Sequence, residues 1–410
     1  MSSTAPSPLW RGRALALAGI VLFAFSLRSA VASLSPVIDH IERDFALSPV
    51  VVGLIGTAPP VCFAVFGLLT PQLERRLGLE RLAIVAMAVA ATGLVTRGLA
   101  VDGVTLLLAT ALAFAAVGVG NVLLPPLAKK YFPDRIGLVT TVYSTMMAVS
   151  TFLPPLIAVP VADAVGWRFS LALWAVFALS AMIPWIAQLV RTRGDDVEAL
   201  EGANPAVFER MWRIPLAWAL LAGFTVSGIL AYSAFAWLPQ ILVDIAGVSH
   251  AQAGALLSLF AAMGLPASLL VPILVARFHA TKALFAVSIV TGLTGIAGLL
   301  FAPAAATWLW VVLLGIAPLL FPLTLVLLGL RARTHEGAVA LSGFVQSIGY
   351  AIAAVFPFGL GVLYEATGSW TGPLIVLAVV VLFAIPTGFV ASRRHTVEDE
   401  WEQRQGAWSA

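Results

Sequence analysis

Residues 14–34 read ALALAGIVLFAFSLRSAVASL, an apolar run long enough to cross a bilayer, with one arginine, Arg28, set deep inside it. A hydrocarbon core needs roughly 20 apolar residues per helix. Working outward from this run, eleven more stretches of the same kind follow. They lie near 50–70, 82–101, 104–126, 137–161, 168–190, 214–238, 251–275, 283–303, 307–330, 338–362 and 371–391. The 410 residues are 60% hydrophobic and only 10% charged, where a water-soluble domain carries roughly 25% charged residues. A chain with so few charges faces lipid. The sequence therefore predicts an all-α membrane protein of twelve transmembrane helices.

Arg11 and Arg13 before the first run, and Ala30-Val31-Ala32 near its end, imitate a cleavable secretion signal. The length of the run, Arg28 inside it and the eleven runs that follow predict retention as the first span. Five histidines (His40, His250, His279, His335 and His395) sit beside polar junctions, and Cys62 has no partner cysteine. Disulfides and metal-thiolate sites within one chain are thereby excluded, and no metal or cofactor is expected. The chain has no G-x-x-x-x-G-K-[ST] loop and no H-E-x-x-H pair. ATP is thus excluded as a direct drive, and the reading is not an enzyme.

The placement of Lys and Arg sets the expected orientation. With the N-terminus inside, 19 of the 23 basic residues fall in cytoplasmic segments, and only Arg43, Arg97 and Arg168 lie toward the outside. Both termini are predicted to be cytoplasmic. The longest polar segment, 191–213, divides the runs six and six. This gives an N-terminal half (1–190), a cytoplasmic linker (191–213), a C-terminal half (214–391) and a cytoplasmic tail (392–410). The halves repeat one another. Ser48, Gly53, Pro71 and Arg76 share their spacing with Ser249, Gly254, Pro272 and Arg277, and Pro155 with Gly166-Trp167 corresponds to Pro357 with Gly368 and Trp370, at an offset of about 202 residues. Parallel six-helix repeats with a substrate site between them near the midplane are a transporter arrangement.

Arg28 lies about 14 residues, or roughly 21 Å, into the first run. An arginine at a helix centre costs about 2.5–3.5 kcal/mol on the most lenient insertion scale. No Asp or Glu falls inside the twelve runs to offset it. Its planar fork suits a planar anion, which makes Arg28 the leading substrate-binding candidate; the bland alternative is a side chain that snorkels or meets a helix-end carbonyl. Arg97, nearer the end of its run, is either a second contact or a snorkelling side chain. Asn121, behind Gly118-Val119-Gly120, is a cavity residue or an interhelical hydrogen bond. Ser342, Gln346 and Tyr350 recur every four residues and share one helical face. Tyr143, Tyr232 and Trp237 are aromatic candidates for the same cavity, with packing as the alternative. Pro59-Pro60, Pro125-Pro126 and Pro154-Pro155 are expected to kink or break their helices. Glu74, Arg75, Arg76 and Arg277 occupy cytoplasmic helix ends, where they are expected to take part in gating.

The run Gly120-Asn121-Val122-Leu123-Leu124-Pro125, continuing through Lys129 to Phe132-Pro133-Asp134-Arg135, resembles the cyanate and 2-nitroimidazole permease family. So do Ala236-Trp237-Leu238-Pro239 with Ala253-Gly254-Ala255-Leu256-Leu257-Ser258, and Ser342-Gly343-Phe344-Val345-Gln346-Ser347. The resemblance extends over nearly the whole chain and implies a branch of the major facilitator superfamily. In the first helix the family tends to show Asn-Leu-Arg-Pro, where this chain has Ser26-Leu27-Arg28-Ser29. Pro71-Gln72-Leu73-Glu74-Arg75-Arg76-Leu77-Gly78 looks like a degraded form of the superfamily's loop motif. Ser150-Thr151-Phe152-Leu153-Pro154-Pro155 lacks the Gly-Pro motif of drug/proton antiporters, which leans against multidrug export.

These readings converge on a secondary active or facilitative transporter of the bacterial inner membrane. It is expected to work as a monomer on a small anion or small polar organic solute, cyanate-like or an organic anion, with the lipid bilayer and no nucleic acid as partner. Export of small toxic compounds such as nitroheterocycles is the alternative direction. A membrane sensor without transport predicts a sizeable soluble domain, which the chain lacks.

Overall fold

The computed structural model describes residues 13–132, 135–191 and 205–408. Within them are twelve helices long and apolar enough to span a membrane. The first six are α1 (Ala14–Ala32), α2 (Pro49–Thr70), α3 (Leu79–Gly98), α4 (Gly103–Ala128), α5 (Leu138–Val165) and α6 (Trp167–Val190). The second six are α7 (Pro215–Ala246), α8 (His250–Phe278), α9 (Thr281–Phe301), α10 (Thr307–Leu330), α11 (Gly337–Thr367) and α12 (Thr371–Ala391). Their side chains face outward as apolar surface at many positions, including Leu68, Leu108, Ile183, Val290, Phe301 and Phe389, as lipid requires. Residues 192–204 of the 191–213 segment, and residues 1–12 and 409–410, lie outside the described residues.

Length decides where the sequence reading falls short. α7 and α11 extend beyond the expected 238 and 362, because Tyr364 and Trp370 pack on each other and both donate to Asp244 at the far end. α3 starts at Leu79 rather than 82, which draws Glu80 inside a span and corrects the expectation of no acidic residue there. Burial of that carboxylate is compensated: Lys130 Nζ lies 2.7 Å away and the Tyr131 hydroxyl donates at 2.6 Å.

The tandem prolines do not break their helices. α2, α4 and α5 run unbroken through Pro59-Pro60, Pro125-Pro126 and Pro154-Pro155. One interruption, at Leu173–Trp174 in α6, has no proline near it, and others fall before isolated prolines. A proline removes the hydrogen bond to the carbonyl four residues earlier, and helical segments end at Ala262, four before Pro266, and at Leu382, four before Pro386. In α10 a short 3-10 turn spans Ala317–Leu319. The carbonyls exposed there are satisfied by side chains from neighbouring helices, Ser288 donating to Ala317 at 2.6 Å and Ser227 to Pro318 at 2.8 Å.

The two six-helix groups meet mainly along α2 with α11 and α5 with α8. The end of the bundle opposite the termini, here the far side, is held shut by close contacts between the halves. α2 and α8 begin there behind Ser48 and Ser249, whose side chains cap Val51 and Gln252. At Gly53 a Cβ atom would sit 2.9 Å from the Pro357 carbonyl, and at Gly254 2.8 Å from the Pro155 carbonyl. The repeated glycines and prolines thus oppose each other across the interface, once in each pseudo-symmetric position. Thr57 adds a bond that crosses the halves. Its hydroxyl donates to the Ala354 carbonyl at 2.7 Å and accepts from the Phe358 N–H at 3.2 Å, bridging one rung of the α11 ladder. A contact between the Asp39 carboxylate and the His250 ring ties the same ends together.

On the terminal side the tail is not a loose end. Thr396 and Asp399 form a reciprocal capping box that starts a helix over Val397–Gln405. Buried Glu398 accepts from the backbone of Arg333 at 2.9 Å and from the backbone and hydroxyl of Thr334 at 3.0 and 2.9 Å. Glu400 accepts from the N–H of Leu216, at the start of α7. A helix over Pro205–Met211 also docks there, with Phe208 and Trp212 edge-on to Phe344.

Candidate substrate site

Arg28 is carried on α1, which crosses the middle of the N-terminal half. Its guanidinium lies 5.8 Å from the centre of the Phe63 ring of α2, within the range of a cation–π contact. Phe63 is in turn edge-on to two tyrosines of the other half, Tyr350 of α11 at 5.8 Å and Tyr232 of α7 at 6.3 Å. The tyrosine rings are 6.2 Å apart. Both phenol groups lie close enough to the Arg28 guanidinium to feel its charge. One arginine and one phenylalanine from the first six helices thus face two tyrosines from the last six. Among the described residues, no carboxylate pairs with Arg28.

This arrangement has a plain chemical capacity. A guanidinium offers several N–H donors in one plane and two phenols add O–H donors, while the ring of Phe63 excludes water from one flank. An anionic or strongly dipolar group is the complementary guest. Tyr350 reaches the cluster because the Ser342–Gln346–Tyr350 face of α11 turns toward the other half. Gln346, one turn earlier, is half-buried with no hydrogen bond among the described residues.

Arg97 does not snorkel. It is 1% exposed, donates from Nη1 to the Ala30 carbonyl of α1 at 3.0 Å, and lies 5.8 Å from the Phe114 ring. It lines a small cavity of about 20 Å³, room for roughly one water, together with Ser35, Pro59, Phe114, Tyr232 and Ala236. The remaining candidates make no hydrogen bond to Arg28, Tyr232 or Tyr350 among the described residues. The Asn121 side-chain oxygen is buried without a hydrogen-bond partner among the described residues. Tyr143 is half-buried against the core of the first six helices. Trp237 is fully buried, its indole N–H donates to the Pro357 carbonyl at 2.8 Å and its ring packs 5.5 Å from Trp370; this is a packing position at the far-side closure. On the terminal side Glu74 is buried, Arg76 is exposed, and Arg277 is exposed beside Phe278. The side chain of Arg75 lies outside the described residues.

Sequence reading missed Phe63, Thr57 and Ser35. Phe63 is one aromatic residue in an apolar run, and nothing in its spacing marks it as the ring on which Arg28 rests. Thr57 had a weak signal, a hydroxyl four residues after the repeated Gly53.

Comparison with known proteins finds membrane transporters along nearly the whole chain. The chain is 33% identical over 396 residues to the uncharacterized transporter YycB of Bacillus subtilis (strain 168), covering 95% of this chain and 96% of that one. It is 32% identical to the 2-nitroimidazole transporter of Escherichia coli (strain K12), covering 93% and 96%. To the cyanate transport protein CynX of the same organism it is 26% identical, covering 86% and 90%. Among solved structures, a bacterial homologue of the human lysosomal transporter Spinster, in an inward-facing and occupied conformation, superposes with a TM-score of 0.73 at 15% identity, covering 98% of this chain and 99% of that one. The family model of the Major Facilitator Superfamily matches residues 17–354. With twelve spanning helices in two groups of six and relatives of this similarity along nearly its full length, the chain belongs to the major facilitator superfamily of membrane transporters.

Proposed function

We propose that this transporter carries a small anion, or a small polar organic solute with an anionic face, across the bacterial inner membrane by alternating access. The observation that carries the reading is the Arg28 guanidinium, held at the junction of the two halves against Phe63, Tyr232 and Tyr350 with no acidic partner among the described residues. A permanent cation in a membrane interior is costly, and an anionic guest relieves that cost. Because the guest touches both halves, rocking of one against the other presents it to each side in turn. Gln346 and Asn121 extend the polar lining, and Tyr143 stands at its edge.

The protein acts as a monomer, with both termini in the cytoplasm as the basic residues direct. The far side then faces the periplasm, and the closure at Gly53, Thr57 and Gly254 corresponds to an inward-facing state. Arg76 and Arg277, with Glu74 and Arg75, come together when the cytoplasmic side closes. One relative is a cyanate transport protein and another a 2-nitroimidazole transporter. Cyanate-like and small organic anions head the substrate class. The second relative favours nitroheterocycles as an alternative substrate class, with export as the direction of that alternative reading.

A thermal-shift panel on the purified wild type separates these readings. Ligands that bind the native state raise its stability, by about 2.7 kcal/mol at a hundred times Kd. The proposal expects cyanate and small carboxylates to raise Tm at matched ionic strength, and neutral solutes such as urea to leave it unchanged. A rise with 2-nitroimidazole alone would replace the anion reading with the second one.

A further inference from the structure

A second cationic position lies beside the Arg28 cluster and is built differently. Arg97 is buried to 1% exposure, yet only one of its bonds is given to protein, that from Nη1 to Ala30. Its Nε has no partner among the described residues, and neither does the buried hydroxyl of Ser35. Both residues line the same cavity. In the closed far side the space holds roughly one water; two unsatisfied donors beside it call for an acceptor once α2 and α7 separate, and the fixed positive charge selects a negative one.

The position of the cavity adds a direction. Arg97 is the second-to-last residue of α3 at the far side. Arg28 rests on Phe63 and Arg97 on Phe114, and these two rings meet edge-to-face at 6.2 Å. Tyr232 belongs to both environments, lining the Arg97 cavity and facing Arg28. The cavity is walled by Gly56 and Pro59 of α2 on one side and by Phe235 and Ala236 of α7 on the other. Separation of α2 from α7 at the far side therefore opens the Arg97 cavity before it reaches Arg28.

We propose that Arg97 and Ser35 form a second anion station, occupied from the far side, that exchanges its guest with Arg28 past Tyr232 and the Phe63–Phe114 pair. Its ligand class is a small monovalent anion with few atoms, held by the guanidinium Nε–H and the Ser35 hydroxyl. The inference rests on the anion reading of Arg28, and the test distinguishes the two.

Equilibrium dialysis with carbon-14 thiocyanate, an anion that does not carbamylate amines, counts bound anions per chain in detergent-purified protein. The wild type is expected to bind two equivalents. Arg97→Gln is expected to bind one and Arg28→Gln to bind the other, each variant being monodisperse with its Tm recorded. Ser35→Ala, which removes no charge, is expected to weaken one equivalent by about three-fold to ten-fold, the loss of one hydrogen bond. A merely structural Arg97 predicts a lower Tm in Arg97→Gln with the anion count unchanged; that result overturns the second station. A single equivalent in the wild type also overturns it, and loss of that equivalent in Arg28→Gln leaves the Arg28 reading standing. No binding in any form overturns both. If Arg97→Gln does not fold, unchanged affinities in Ser35→Ala overturn the proposal by themselves.

Discussion

Arg28 and Thr57 show how single side chains decide what the interface between the halves can do. The guanidinium of Arg28 makes the interface attractive to an anion, whereas Thr57 makes it adhesive. Thr57 places one hydroxyl between the Ala354 carbonyl and the Phe358 N–H of α11. Hydrogen bonds between membrane helices average about 0.6 kcal/mol, so Thr57→Val is expected to weaken the far-side closure by roughly 1 kcal/mol. Thr57→Ser keeps both bonds and is expected to behave as wild type. Fluorophore labelling of a cysteine placed at Ser35, in a Cys62→Ser background, reads the difference: faster labelling with Thr57→Val, and an unchanged rate with Thr57→Ser. At this scale Arg28 was legible because a charge inside a 20-residue apolar run has no ordinary explanation. Its companions were not, because an aromatic ring or a hydroxyl in a membrane helix is common, and only the packing shows which one faces the charge. Arg97 was half legible. Its place near a helix end suggested escape toward water, and the burial of that end under the closed far side removes the escape.

At the scale of the element, the helices were easy to find and their interruptions were not. Apolar length fixes a span within a few residues, but the tandem prolines looked like breaks while real ones follow Ala172, Ala262, Ile316 and Leu382. A missing hydrogen bond shows itself four residues upstream, and whether the helix yields there depends on the neighbours available to take up the carbonyl. The Gly53 and Gly254 repeats were visible as spacing; their purpose is close contact of backbones. A β-branched side chain at either position meets a carbonyl below 3 Å, and overpacking of this kind costs about 1–3 kcal/mol. Gly53→Val and Gly254→Val are each expected to drive the halves apart at the far side. Spin labels at Val101 and Glu365 should report a longer distance by electron double resonance, whereas a Gly264→Val control, with open space around it, should not. The tail helix is an element of another kind. Burial works to raise the Glu398 carboxyl, but the donated N–H groups of Arg333 and Thr334 outweigh it and hold the carboxyl below its usual range. Asp399, capped by the Thr396 backbone, is lowered as well. Groups lowered on folding stabilise the docked tail above their unfolded pKa, and the benefit is lost as pH falls through the lower folded value. Hydrogen exchange of the 397–405 amides should therefore stay slow at pH 6 and, after correction for intrinsic rate, become less protected below about pH 4. Glu398→Ala should remove the protection at neutral pH, leaving buried donors unsatisfied at about 1–3 kcal/mol.

The whole molecule is two six-helix bodies that share one polar spot and one sealed end. The seal rests on glycine–proline contacts that repeat between the halves, with Thr57 added on one side only; the polar spot uses residues that do not repeat, so it can be specific. The sequence repeats disclosed the first property. The second was only half visible, since the charge comes from one half and the phenols that face it come from the other, 204 and 322 residues further along the chain. On this account substrate and closure are coupled because the guest bridges α1 and α2 to α7 and α11. The most direct test is uptake of carbon-14 cyanate, as the probe anion, by proteoliposomes holding wild type, Arg28→Gln or Arg28→Lys. Loss of charged hydrogen bonds to a bound anion costs about 1.5–3 kcal/mol. The account predicts uptake above protein-free vesicles for wild type, a fall of at least about ten-fold for Arg28→Gln, and partial retention for Arg28→Lys. Uptake by Arg28→Gln at the wild-type rate would contradict it.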